Sequence, residues 1–267
     1  MIPHLFLNAN WPGGFSTAHG ILHLPRGVAP QVLFLGTWNP DRSANPHFNG
    51  VQADFFYGRN HFWRAFDEFL DPGRIPPRPA GPRFPPNGNP VPPYDPTLDR
   101  ILEITGQLHM SFADLVAGLF PNNGEAYDWV DDRRVNWNGQ VVNVIRDQAQ
   151  NGALGIDALD QEGQILWNTE HIITYLCDNP QIKHIYFTRQ RNGIWEREIA
   201  LIEQSDCMKG RTVTPIFTPS GQGAPAGIQR RAYIKHHWLH NVDPNYGTLD
   251  HEWLREHGID PDQIHLP

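Results

Sequence analysis

The chain is short of sulfur, short of positive charge and without any long apolar run. Two cysteines, Cys177 and Cys207, occur in 267 residues. Two thiols cannot build a disulfide framework, nor by themselves ligate a structural zinc or an iron–sulfur cluster, so those classes are excluded. The expectation for the pair is two buried thiols in a reducing compartment. No apolar stretch approaches the ~18–20 residues that span a bilayer, which excludes a membrane-spanning helix. The opening residues Met1 to Leu7 lack a basic region and a long apolar region, so no signal peptide is expected and a soluble, cytoplasmic protein is. Lysine and arginine number 21 against 29 aspartate and glutamate, a formal charge of −8. Such a chain does not coat nucleic acid by electrostatics alone, because phosphate contacts need lysine or arginine. A local basic face remains compatible, with Arg189, Arg191 and Arg197 as candidates and Arg230, Arg231 and Lys235 further on.

What the chain does have is enough length and apolar content for one large core. The clearest strand is Gln31 to Gly36, a continuous apolar run broken immediately after it, as a buried parallel strand is. Ile182 to Thr188 and Thr212 to Phe217 read as two more strands. Helical spacing places Phe62, Phe66 and Phe69 on one face of a helix over His61 to Leu70. Ile165, Ile172, Ile173 and Leu176 share a second helix stopped by Pro180. Gly193 to Gln204 is a third, with Ile194, Ile199 and Ile202 turned inward. Strands alternating with helices predict an α/β fold with a parallel sheet. Residues 71–97 hold eleven prolines and form an irregular insertion. Gly124 to Gly139 reads as loop around a short helix. The C-terminal stretch, about 241–267, reads as a helical extension capped by Thr248, with Asp250 in its first turn and Gly258 at its end. The whole chain, 1–267, is expected to be a single domain.

In an open α/β sheet the ligand site lies at the carboxyl ends of the strands. Two strands end in segments rich in small and turn-forming residues: Gly36-Thr37-Trp38-Asn39-Pro40-Asp41-Arg42-Ser43, and Thr218-Pro219-Ser220-Gly221-Gln222. Gly36 and Gly221 allow close approach of backbone to a ligand. A third piece, Asp54 to Trp63, holds six aromatic or histidine rings in ten residues. Phe62 and Trp63 suit a core; Phe55, Phe56 and Tyr57 precede the helix and can offer a stacking surface, worth on the order of 1–3 kcal/mol per base.

Taken in order, these segments resemble the uracil-DNA glycosylase superfamily, closest to its mismatch-specific and hypoxanthine-DNA glycosylase branches. Leu35-Gly36-Thr37-Trp38-Asn39-Pro40 is similar to the turn after the family's first core strand. Phe55-Phe56-Tyr57-Gly58-Arg59-Asn60-His61-Phe62-Trp63 is similar to its aromatic segment ending in Arg-Asn-x-Phe-Trp. Ser111-Phe112-Ala113-Asp114-Leu115-Val116 resembles a helix motif, Ile185 to Thr188 a strand motif, and Thr218-Pro219-Ser220 the loop that grips DNA. The resemblance implies a three-layer α/β/α sandwich with a short central parallel sheet and a monofunctional DNA glycosylase. It implies damaged or mispaired DNA as partner, a monomer, and no cofactor.

The implied residue roles follow the same motifs. Asn60 or Asn39 would orient the attacking water, since an amide accepts its hydrogen but is too weak a base to deprotonate it. Gly36, Thr37, Trp38, Phe56, Tyr57 and Thr188 would surround the base. Ser43, Arg59, Arg189, Thr218, Pro219, Ser220, Gly221 and Gln222 would hold the DNA. Asn39 stands where the hypoxanthine branch has proline, and Thr188-Arg189 where relatives often carry an asparagine that reads the base, so the base itself stays open. A non-catalytic nucleic-acid or nucleotide binding module, and a hydrolase of free nucleosides, remain as alternatives. His236, His237 and His240 include a helical ligand pair but no third ligand of suitable spacing, so no metal site is expected.

Overall fold

A computed structural model describes residues 1–50, 52–58, 61–71, 96–120, 127–137, 139–216 and 255. The chain divides into two compact units, one comprising Met1–Gln52 and Leu108–Ile216 and the other containing Ala53–Gln107.

The first unit is built on a six-stranded sheet. Its strands are β2 (Ser16–Ala18), β3 (Ile21–His23), β4 (Val32–Gly36), β5 (Met110–Asp114), β11 (His184–Phe187) and β12 (Val213–Pro215). They lie in the order β12-β11-β4-β5-β3-β2. The four strands from β12 to β5 are parallel, and β3 and β2 are added antiparallel. All five residues of β4 and all five of β5 are buried. That explains the unbroken apolar character of β4: a parallel strand covered on both faces has no polar side to show, and the two polar residues of β5, Ser111 and Asp114, are both hydrogen-bonded.

Alternation divides the sheet into two faces. Leu33, Leu35, Ile185, Phe187 and Val213 join the core that includes Ile172, Leu176, Trp195, Ile199 and Ile202. The opposite face carries Phe34, whose ring lies 5.6 Å from Phe112 and 5.5 Å from Tyr186. The helices of this unit are α3 (Ile156–Gln161), α4 (Thr169–Asp178) and α5 (Gly193–Glu203). A three-stranded sheet joins β1 (Ile2–Pro3), β6 (Val116–Leu119) and β10 (Ile165–Trp167). A second joins β7 (Asp128–Trp129), β8 (Arg134–Trp137) and β9 (Gln140–Asn143). The α/β class is therefore present, with mixed sheets.

Several expectations are corrected. Ser111 to Val116 is not helical: it runs through β5 into β6, and Ser111 Oγ donates to the Leu22 carbonyl at 2.6 Å. Ile165 belongs to β10, and the helix begins only at Thr169. The region from Gly124 to Gly139 holds no helix among its described residues but supplies β7 and β8 of an antiparallel sheet. Cys177 and Cys207 are not buried thiols: they form a disulfide with a Cα–Cα separation of 5.0 Å, and Cys177 is exposed.

In the second unit α1 (His61–Leu70) and α2 (Leu98–Gln107) are the described helices. Phe62 and Phe66 are fully buried with ring centroids 4.8 Å apart, whereas the Phe69 side chain lies outside the described set. Thr97 opens α2 by accepting the Arg100 N–H at 3.3 Å. Asp67 and Arg100, both buried, pair at 2.7 Å. Most of the proline-rich insertion, and the C-terminal extension apart from Arg255, lie outside the described residues.

Candidate functional site

The strand order reverses beside β4. The chain passes from β4 to β5 on one side, then returns to β11 and β12 on the other. At such a reversal the two connections leave in opposite directions and open a crevice outside the carboxyl ends of the strands. That reversal falls where β4 ends at Gly36 and β11 ends at Phe187, which is where the rule puts the mouth. Gly36, Thr37, Trp38 and Asn39 leave from one strand, Thr188 and Arg189 from the other. The Thr188 N–H donates to the Leu35 carbonyl at 2.9 Å, which keeps the two exits side by side. The Thr188 hydroxyl also turns back to that carbonyl, at 3.2 Å.

The exit from β4 is braced from three sides. The Gly36 and Thr37 carbonyls accept the N–H groups of Leu115 and Val116, each at 3.0 Å. The Trp38 indole N–H donates to the Val144 carbonyl at 2.8 Å. The N-terminal segment then crosses residues 39–41: Leu5 N–H donates to the Asn39 carbonyl at 2.8 Å and Asp41 N–H to the Pro3 carbonyl at 2.9 Å. His4 anchors this strap. Its Nδ1 accepts the Phe6 N–H at 3.0 Å, so Nε2 carries the proton and donates to Asp114 at 2.6 Å. Asp114 pairs in register with Gly36, so the His4–Asp114 bond ties the strap to the end of the sheet.

Asn39 is half-buried, and neither its side-chain amide nor its backbone N–H is bonded among the described residues. An amide held on a braced backbone and left open can accept a hydrogen bond from a water or donate one to a carbonyl. Beyond it, partial burial works to raise the Asp41 carboxyl, yet hydrogen bonds from the Ser43 N–H and the Gln52 amide outweigh it and hold the group below its usual range. Ser43 itself is exposed. Arg42 lies 4.1 Å over the Phe48 ring and donates to the Asp132 carbonyl at 3.3 Å, with its Nε buried and unpartnered. Burial lowers the pKa of its guanidinium; Asp132 opposes that and Arg133 adds to it.

Arg189 pairs with Asp147 and lies 5.8 Å from the Trp195 ring. Of the other basic candidates, Arg191 and Arg197 are committed to carboxylates, and Arg230, Arg231 and Lys235 lie outside the described residues. Arg191 pairs with Glu196 at 3.0 Å and Glu203 at 2.7 Å; Arg197 pairs with Asp160 and Glu198, each at 2.6 Å. The three candidate arginines at 189–197 thus sit in ion pairs.

The ring-rich segment belongs to the second unit and is described on its own. Phe55 and Phe56 are 1% and 2% exposed, and the Phe56 carbonyl accepts the Trp63 indole N–H at 2.7 Å. Tyr57 is half-buried and stacks on Phe62 with centroids 4.6 Å apart. It takes φ of +60°, a left-handed backbone costing a non-glycine residue roughly 1–2 kcal/mol. Gly58 follows at φ +49°, and a Cβ there would stand 2.9 Å from that of Ala53, so the turn itself requires glycine at 58. Arg59, Asn60, Thr218, Pro219, Ser220, Gly221 and Gln222 lie outside the described residues, as do His236, His237 and His240. Among the described residues, no cluster of three or more His, Cys, Asp or Glu could hold a metal ion, and no helix is long and apolar enough to cross a membrane.

Sequence reasoning missed His4, Asp114 as its partner, Asp147 and Trp195. Their contacts with Asp114, Arg189 and one another join positions 42 to 110 residues apart, and no local pattern encodes such a separation. The one available signal was Asp114 at a strand end, where polar residues concentrate at sites. Comparison with protein-family models, with curated proteins and with solved structures finds no match for this chain.

Proposed function

We propose that this chain is a monofunctional DNA glycosylase that hydrolyses the N-glycosidic bond of a deaminated or mismatched base, uracil, hypoxanthine or a similar one. The reading includes a three-layer α/β/α sandwich around a short parallel sheet, a monomer, a cytoplasmic location, DNA as partner and no cofactor. Its principal support is the reversal of strand order beside β4, with the unbonded Asn39 amide on the braced segment that leaves that strand. The ordered motif set, from Gly36 through Asn60 to Ser220, supplies the rest.

The chemistry asks little of the protein as acid or base. Cleavage passes through an oxocarbenium-like sugar, as in glycoside hydrolysis. The site must hold the nucleotide outside the stack, at a cost of a few kcal/mol that is least for a mispaired base. It must also aim a water at the anomeric carbon, and Asn39 or Asn60 is suited to that by its carbonyl oxygen. In the unit that carries Asn39, Arg189 offers a cation for phosphate.

A lesion panel tests the reading. Purified protein is incubated with duplexes bearing uracil, hypoxanthine, xanthine or a T·G mismatch, and abasic sites are then cleaved with alkali. Strand breaks at one or more lesions are expected. Asn60→Ala or Asn39→Ala, whichever residue orients the water, should lose about 10²-fold in single-turnover rate. Intact strands at every lesion beside a working control enzyme overturn the proposal. One observation favours a second reading, a hydrolase of free nucleosides: Arg189, Arg191 and Arg197, the basic candidates among the described residues, are all paired with carboxylates, and a nucleoside brings no phosphate for them to hold. Release of base from mononucleosides but not from DNA would establish that alternative.

A further inference from the structure

The segment Val144 to Asp147 touches both exits of the crevice. Val144 accepts the indole N–H of Trp38, two residues past β4, and Asp147 pairs with Arg189, two residues past β11. Its backbone is pinned where Asp147 stands. Ile156 N–H donates to the Arg146 carbonyl at 2.9 Å and Asp157 N–H to the Asp147 carbonyl at 3.0 Å. Gly155 packs so tightly on this segment that any Cβ would overlap the carbonyl group of Asp147. The carboxylate also receives the Trp195 indole N–H at 3.2 Å. Asp147 thus has a fixed backbone, a fixed side chain and one cation to hold.

We infer that Asp147 is a positioning residue that fixes the Arg189 guanidinium at the mouth of the β4–β11 crevice for contact with a DNA phosphate. The inference rests on the DNA-acting reading given under Proposed function. A guanidinium has five N–H donors in a rigid fork, and the ion pair with Asp147 leaves others for a ligand. The Arg189 side chain is 35% exposed, against 19% for that of Asp147, so the cation is the member that meets solvent. An arginine already aligned loses less freedom on binding than a loose one.

The sign of one substitution separates this from simple electrostatics. Asp147→Asn removes a negative charge from the crevice, and charge alone predicts tighter DNA binding. Positioning predicts weaker binding. The test is fluorescence anisotropy of a labelled lesion duplex with wild type, Asp147→Asn, Arg189→Ala and the double variant over a salt series. Asp147→Asn should raise Kd about 3–10-fold and lower the slope of log K against log salt by about one phosphate contact, matching Arg189→Ala. The double variant should bind no worse than Arg189→Ala alone. In single-turnover assays KM should rise with kcat unchanged, which a general loss of structure does not produce. The variant should melt with wild type, since asparagine still accepts the Trp195 N–H. Equal or tighter binding by Asp147→Asn, or additive losses in the double variant, overturns the inference alone. Wild type that binds no DNA overturns the DNA-acting reading and this inference with it.

Discussion

Tyr175 shows how one buried polar side chain carries both packing and pH dependence. Its hydroxyl donates to Ser111 Oγ at 2.9 Å, and Ser111 in turn donates to Leu22, so α4 is bonded to β5 and β3 through one phenol. Burial pushes the phenol up to about 12, with the Ser111 bond opposing. The folded value lies above the unfolded one, so this contribution is complete below pH 10 and is lost as pH rises through about 12. Tyr175→Phe should cost about 1 kcal/mol at neutral pH, read from urea unfolding. The gap between variant and wild type should then narrow between pH 10 and 12, because phenylalanine has no proton to lose.

At the scale of elements, legibility followed local pattern. β4 was readable because five buried residues in a row admit no polar side, and α1 because Phe62 and Phe66 recur one turn apart. α5 was readable for the same reason, although Trp195 and the buried Glu198 on it were not foreseen. The stretch from Ser111 to Val116 reads as helical only from the resemblance of its residues to a helix motif. Its six residues are all buried, in β5 and the start of β6, and short buried stretches carry no helical or strand periodicity that separates the two. Ile165 was assigned to a helix by spacing, yet pairing with Leu119 placed it in β10. The loop between β9 and α3 also needed the structure. Gly155→Ala should push the α3 start off the Asp147 carbonyl and cost about 1–3 kcal/mol, as overpacking does, measured by urea unfolding.

For the molecule as a whole, the disulfide has the largest consequence. Cys177, on α4, and Cys207, in the turn before β12, are 30 residues apart. Closing such a loop restricts the unfolded chain by about 3–4 kcal/mol, so reduction or Cys207→Ser should lower the midpoint of thermal unfolding by roughly 5–10 °C. Identical melting with and without reductant would show that the bond does not stabilise the fold. Free-thiol titration of protein taken directly from a reducing cytoplasm reports whether the bridge persists there, where such bonds are rare. The charge balance also acts at this scale. With a net charge of −8 and its 189–197 arginines paired, the proposed contact with DNA depends on where the individual cations are placed.

The amino-acid sequence by itself determined the α/β class, the three parallel strands it marked out, and the turn-rich segment that leaves the first of them at Gly36. Each depends on side chains close together in the chain, where period and turn chemistry are readable. Tertiary structure alone decided the order of those strands, and with it which strand ends meet. It also decided the His4–Asp114 anchor, the disulfide and the setting of Arg189 by Asp147. These rest on contacts between distant residues, and the free energy of such a contact depends on the packed surroundings that bring its partners together, not on the neighbours of either partner along the chain.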